Sequence, residues 1–190
     1  MNAPNILTIF RIIMTAGFIA LFRDNIVAAA GLFVLASVTD YFDGSLARKY
    51  DCVTSFGKIM DPVADKFLIL SAFGMFALID MVPWWIFWVI AVREVAVTLF
   101  RFWVMAKGSV LAAEQAGKAK TVFQIAAVIL MLVFRILYFY EGDAMYRTPL
   151  SLFLGVGIFV LLWFSVIITL MSGVAVFWNN RTIGLGSIKE

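Results

Sequence analysis

Histidine is absent from this chain. Its absence excludes every Ser-His and Cys-His catalytic arrangement, and with them the common histidine-containing zinc sites. Cysteine is almost absent. Cys52 stands alone, so no internal disulfide can form, and an incidental thiol in a turn beside Asp51 and Val53 explains it better than a nucleophile does. Charge is scarce too, at 14% of residues, against a hydrophobic share of 64%. A soluble domain needs a polar coat and usually holds its apolar share to roughly 45–50%. The mean hydropathy of +1.01 therefore predicts a molecule whose outer surface faces lipid. The net charge of +3 is modest, and the basic residues report topology and contact with anionic lipid rather than nucleic acid.

What is present in quantity is apolar sequence. A membrane-spanning helix needs about 20 mainly apolar residues, and the 190-residue chain divides into six such segments joined by short loops. They run from about Leu7 to Phe22, Ile26 to Ala47, Met60 to Ile79, Trp84 to Ala106, Gly117 to Tyr140, and Pro149 to Trp178. The sequence thus predicts one all-α integral membrane domain over residues 1–190, with no separate soluble module. The first segment has no preceding basic stretch and no small-residue cleavage site, which predicts a retained helix. Arg48, Lys49 and Lys58 flank the second loop, Lys107, Lys118 and Lys120 flank the fourth, and Arg181 and Lys189 lie in the tail. By the positive-inside rule both termini are cytoplasmic. Trp84, Trp85 and Trp88 read as an interfacial aromatic belt.

Four aspartates interrupt this apolar background. Asp40 and Asp43 are three residues apart at the end of the second segment, and Asp61 and Asp65 are four apart at the start of the third. Both spacings put a pair on one helical face, and the short turn between the segments lets the two pairs converge. Four facing carboxylates near hydrocarbon repel one another, and a charged residue there costs roughly 2.5–3.5 kcal/mol even on a lenient scale. Cations would neutralise them. Oxygen donors without histidine or thiolate suit hard ions, Mg²⁺ first, with Mn²⁺ or Ca²⁺ as alternatives. Four carboxylates suffice for two ions, the arrangement that stabilises both attacking and leaving oxygens in phosphoryl-type displacement. Gly44, Ala47 and Gly57 would let a flat base and a pyrophosphate approach the backbone, and Arg48 would grip a phosphate. Taken singly, the small residues also suit helix packing and Arg48 an anchoring charge.

The ordered set Asp40-x2-Asp43-Gly44-x2-Ala47-Arg48-x8-Gly57-x3-Asp61-x3-Asp65 resembles the CDP-alcohol phosphotransferase signature at every position. The resemblance implies a six-helix membrane core, usually homodimeric, and two divalent ions on Asp40, Asp43, Asp61 and Asp65. It also implies that Asp65 is the general base and that Gly44, Ala47, Arg48 and Gly57 shape a CDP site.

A second group of charges bears on the alcohol acceptor. Arg93, Glu94 and Arg101 lie inside the fourth segment, and Lys118 and Lys120 open the fifth. An interhelical ion pair is the bland account of Glu94, and inside-anchoring charge that of the lysines. Together Arg93, Arg101, Lys118 and Lys120 suggest a cationic pocket for an acceptor that carries its own phosphate. Pro4 to Arg11, Arg93 to Arg101 and Gly117 to Thr121 resemble the branch of the family that transfers the phosphatidyl group of CDP-diacylglycerol to glycerol 3-phosphate. Asn5 and Thr8, three residues apart, are placed to reach the nucleotide, although helix capping explains them at least as well. Branches that make phosphatidylinositol phosphate, phosphatidylserine or cardiolipin are alternatives. A divalent-cation channel or transporter is a rival of a different class, which predicts carboxylates spread across the membrane or at its midplane rather than at one face. A bacterial plasma membrane, with the site on its cytoplasmic side, suits the compact chain better than a mitochondrial inner membrane.

Overall fold

The computed structural model describes the backbone of residues 3–50, 55–107 and 115–180, and the side chains of 8–39, 63–64, 66–107 and 119–180. Among the described residues there are six α-helices and no strand. They are α1 (Ala3–Leu21), α2 (Ile26–Tyr50), α3 (Ser55–Ala77), α4 (Trp84–Ala106), α5 (Gln115–Glu141) and α6 (Pro149–Asn179), with a 3-10 turn at Gly142–Arg147 before α6. The all-helical reading and the segment count agree with the sequence. The boundaries differ where polar residues flank the apolar runs: α2 continues three residues beyond Ala47 and α3 begins five before Met60. Hydropathy marks where an apolar run ends, whereas backbone hydrogen bonding continues through helix-favouring residues such as Arg48 and Lys49. Asp40, Asp43, Gly44, Ala47 and Arg48 therefore belong to one helix, and Gly57, Asp61 and Asp65 to the next.

The turns are closed by local chemistry. Asn25 caps α2, its side-chain oxygen accepting from the Ala28 amide at 3.0 Å. Thr148 caps α6 by accepting from the Ser151 amide at 3.3 Å, with Pro149 at the first helical position. At the end of α3 the Met81 amide donates to the Phe76 carbonyl at 3.0 Å and the Asp80 amide to the Ala77 carbonyl at 3.1 Å. This is a Schellman closure, and Asp80 takes the left-handed position at φ 57° where glycine is more usual. Pro83 then leads into α4.

Up-and-down connections give the bundle two unlike ends. Toward the Asp80 turn, Phe18 of α1, Phe22 just after it, Phe33 of α2, and Phe73 and Phe76 of α3 are fully buried. The Phe22 and Phe76 rings meet edge-to-face at 5.1 Å, and Phe18 meets Phe22 at 5.5 Å. Toward the other end buried polar side chains gather: Thr8, Arg11 and Thr15 of α1, Glu94 and Thr98 of α4, Lys120 and Gln124 of α5, and Thr169 and Ser172 of α6. The outer faces are largely apolar, with Val92, Leu99, Phe153, Phe159, Ile167 and Met171 among the exposed side chains. Among the described residues, the helical stretches Ala119–Arg147 and Pro149–Asn179 are long and apolar enough to cross a membrane.

Candidate active site

The aspartates occupy the polar end. Asp40 and Asp43 lie within about three turns of the end of α2, and Asp61 and Asp65 within about three turns of the start of α3. The side chains of all four, like those of Asn5, Gly44, Ala47, Arg48, Gly57 and Lys118, lie outside the described residues. In donor chemistry, four hard carboxylate positions shared by two consecutive helices suit a hard divalent cation.

The described part of the site is built around Glu94, in the middle of α4 and only 3% exposed. Three cations from three helices surround its carboxylate. Arg93 Nη1 stands 3.3 Å from Oε1, Lys120 Nζ donates to the same oxygen, and Lys66 Nζ stands 3.9 Å from Oε2. Arg93 is braced from α6, where its Nη2 donates to Ser172 Oγ at 2.6 Å. Ser172 donates in turn to the Thr169 carbonyl at 3.2 Å, and the Thr169 hydroxyl accepts from Gln124 Nε2 of α5 at 3.3 Å. One polar chain thus ties α4, α5 and α6 together beside Glu94.

The electrostatics are unbalanced. Among the described residues, one carboxylate faces three cations. Burying charge is tolerable only when opposite charge and hydrogen bonds compensate it. Arg93 Nε is also buried with no hydrogen-bond partner among the described residues. A surplus of buried positive charge with a spare donor is suited to an incoming anion. A groove of about 280 Å³ between α3 and α4 carries Lys66, Glu94 and Thr98 on a wall otherwise made of residues such as Phe67, Leu70 and Phe102.

Of the four cations singled out in the sequence, the fold brings Arg93 and Lys120 together. Arg101 is exposed two turns further along α4, outside the Glu94 cluster, and Lys118 lies outside the described side chains. Two participants escaped the sequence reading. Lys66 follows Asp65 directly and was available as a charge inside an apolar segment. Ser172 had no such signal, since a serine in an apolar helix usually serves packing. Thr8, from the nucleotide expectation, is 3% exposed on α1 at the same end of the bundle.

The CDP-alcohol phosphatidyltransferase family pattern matches residues 1–178. The chain is 36% identical to the CDP-diacylglycerol–glycerol-3-phosphate 3-phosphatidyltransferase of Bacillus subtilis (strain 168), over 94% of this chain and 95% of that protein. It is also 36% identical to the protein of that name from Rickettsia typhi, covering 95% of this chain and 98% of the relative. The Escherichia coli (strain K12) protein of that name is 37% identical over 69% of this chain and 76% of its own length. With the match spanning all six helices and the aspartate spacing intact in α2 and α3, the chain belongs to the CDP-alcohol phosphatidyltransferase family.

Proposed function

We propose that this protein transfers the phosphatidyl group of CDP-diacylglycerol to glycerol 3-phosphate, giving phosphatidylglycerophosphate and CMP. The observation that carries the choice of a phosphorylated acceptor is the convergence of Lys66, Arg93 and Lys120 on the carboxylate of Glu94. A phosphate-bearing alcohol would supply the missing negative charge, and a neutral or zwitterionic one would not. The names of the relatives from Bacillus subtilis and Rickettsia typhi support the same acceptor.

In this reading the chain is a single membrane domain of six spans with both termini in the cytoplasm, working as a homodimer in a bacterial plasma membrane. The apolar outer faces of the helices support a lipid surrounding. Asp40, Asp43, Asp61 and Asp65 hold two divalent cations, Mg²⁺ or Mn²⁺. Such ions, when bound, supply charge neutralisation at the pyrophosphate and at the departing CMP. Gly44, Ala47 and Gly57 leave room for the cytidine and pyrophosphate, Arg48 binds a donor phosphate, and Asn5 and Thr8 of α1 orient the nucleotide. Lys66, Arg93 and Lys120 hold the acceptor phosphate, while Arg101 and Lys118 draw it in from the cytoplasm.

The reaction is an in-line displacement. Asp65 accepts the proton of the free primary hydroxyl of glycerol 3-phosphate. That oxygen forms a bond to the β-phosphorus as the bond from this phosphorus to the bridging pyrophosphate oxygen breaks. CMP leaves with the bridging oxygen. The test is to offer purified protein CDP-diacylglycerol with glycerol 3-phosphate, inositol phosphate or serine and to measure CMP. Release with glycerol 3-phosphate alone is expected. Release with another alcohol and none with glycerol 3-phosphate would overturn the assignment.

A further inference from the structure

Lys66, Arg93 and Lys120 repel one another, so something must hold them within reach of one phosphate before it arrives. Glu94 is built to do so. Its carboxylate is almost wholly buried, and its two oxygens have unequal tasks. Oε1 serves Arg93 and Lys120, whose side chains are each 9% exposed. Oε2 faces Lys66 at 3.9 Å, beyond hydrogen-bond distance, and the Lys66 side chain is 20% exposed. Ser172 fixes Arg93 from a second direction at 2.6 Å. Two cations are therefore pinned and the third is loosely held, on α3 next to Asp65.

The charge count gives this arrangement a chemical meaning. Among the described residues, one carboxylate among three cations leaves a surplus of two positive charges. A phosphate monoester carries about −1.5 to −2 at neutral pH. We propose that Glu94 is a positioning residue for the acceptor: it pins Arg93 and Lys120, sets the surplus to match a phosphate monoester dianion, and leaves Lys66 as the cation that turns to meet that phosphate. This inference rests on the proposed acceptor being a phosphorylated alcohol. Glu94 touches neither substrate in this account and acts through its partners.

The test compares full-length wild type, Glu94→Gln and Glu94→Asp, each purified in detergent. For each, KM is measured for glycerol 3-phosphate and for CDP-diacylglycerol, with kcat and inhibition by inorganic phosphate. In Glu94→Gln the acceptor KM and the inhibition constant of phosphate should rise together by about tenfold or more, the loss expected when a charge-assisted contact is misplaced. The KM for CDP-diacylglycerol should stay within about twofold, which separates positioning of the acceptor from general damage to the fold. Glu94→Asp keeps the charge on a shorter arm and should fall between the two. An unchanged acceptor KM, or an equal rise in both KM values, would overturn the proposal. Should Glu94→Gln fail to fold, Glu94→Asp decides: a raised acceptor KM with an unchanged lipid KM supports the role, and an unchanged acceptor KM refutes it. Wild-type protein inactive with glycerol 3-phosphate would instead refute the proposed function. An active wild type with an indifferent Glu94→Gln would refute only the role of Glu94.

Discussion

Single residues at the polar end divide between donors of charge and holders of charge. Asp65 is proposed to take the acceptor proton, and Asp65→Asn keeps its shape while losing its basicity. CMP release in that variant should fall by about 10²–10⁴-fold, the usual contribution of a general base, with yield and gel-filtration behaviour preserved. Turnover at the wild-type rate would remove Asp65 from that role. Lys66 stands next in sequence and reaches Glu94 from α3. Lys66→Gln should raise the acceptor KM by about tenfold or more and leave the lipid KM nearly unchanged, as expected for loss of one charged contact to phosphate. The four aspartates were legible because their spacing is local: three and four residues along a helix fix a common face whatever the rest of the chain does. Lys66 was legible only in principle, as a charge within an apolar run. Ser172 was not legible at all, because its meaning lies in an arginine 79 positions away.

Helices show the same division. Their number and approximate extent follow from apolar runs and from turn residues such as Asn25, Asp80 and Thr148, whose capping bonds are local. How two helices approach is a different matter. Against α5, a Cβ added at Gly157 of α6 would lie 2.9 Å from Leu130 Cδ2. The end of a leucine side chain can rotate away, so Gly157→Ala should shift the detergent melting midpoint little. Gly157→Ile overfills the contact and should cost about 1–3 kcal/mol, seen as a clear fall in melting temperature. Because the polar chain from Gln124 to Ser172 crosses this same α5–α6 boundary, the acceptor KM should rise in that variant as well. An unchanged melting temperature in Gly157→Ile would show that the two helices are not closely packed there.

The molecule as a whole is polarised along its axis, with an aromatic core at one end and buried polar groups at the other. Such an arrangement suits a reaction at one membrane face, where a lipid donor enters from the side and a soluble acceptor from water. If so, the protein should stay with membranes after alkaline carbonate washing and leave them only in detergent. Tags at both termini should be open to protease from the cytoplasmic side alone. Removing divalent cations with EDTA should abolish CMP release, and Mg²⁺ should restore it. Activity that survives exhaustive chelation would sink the metal assignment.

The sequence by itself determined that the chain is helical and apolar on its outside, where its helices lie, and that two aspartate pairs sit at adjoining helix ends. Each of these rests on interactions between residues a few positions apart. Only the tertiary structure decided that Arg93 and Lys120 share Glu94, that Arg101 stands apart from them, and that Lys66 and Ser172 complete the group. Those contacts depend on the depth and rotation of one helix against another. Depth and rotation are set by many small packing terms summed over the whole bundle, at contacts such as Gly157 against Leu130 and Phe22 against Phe76.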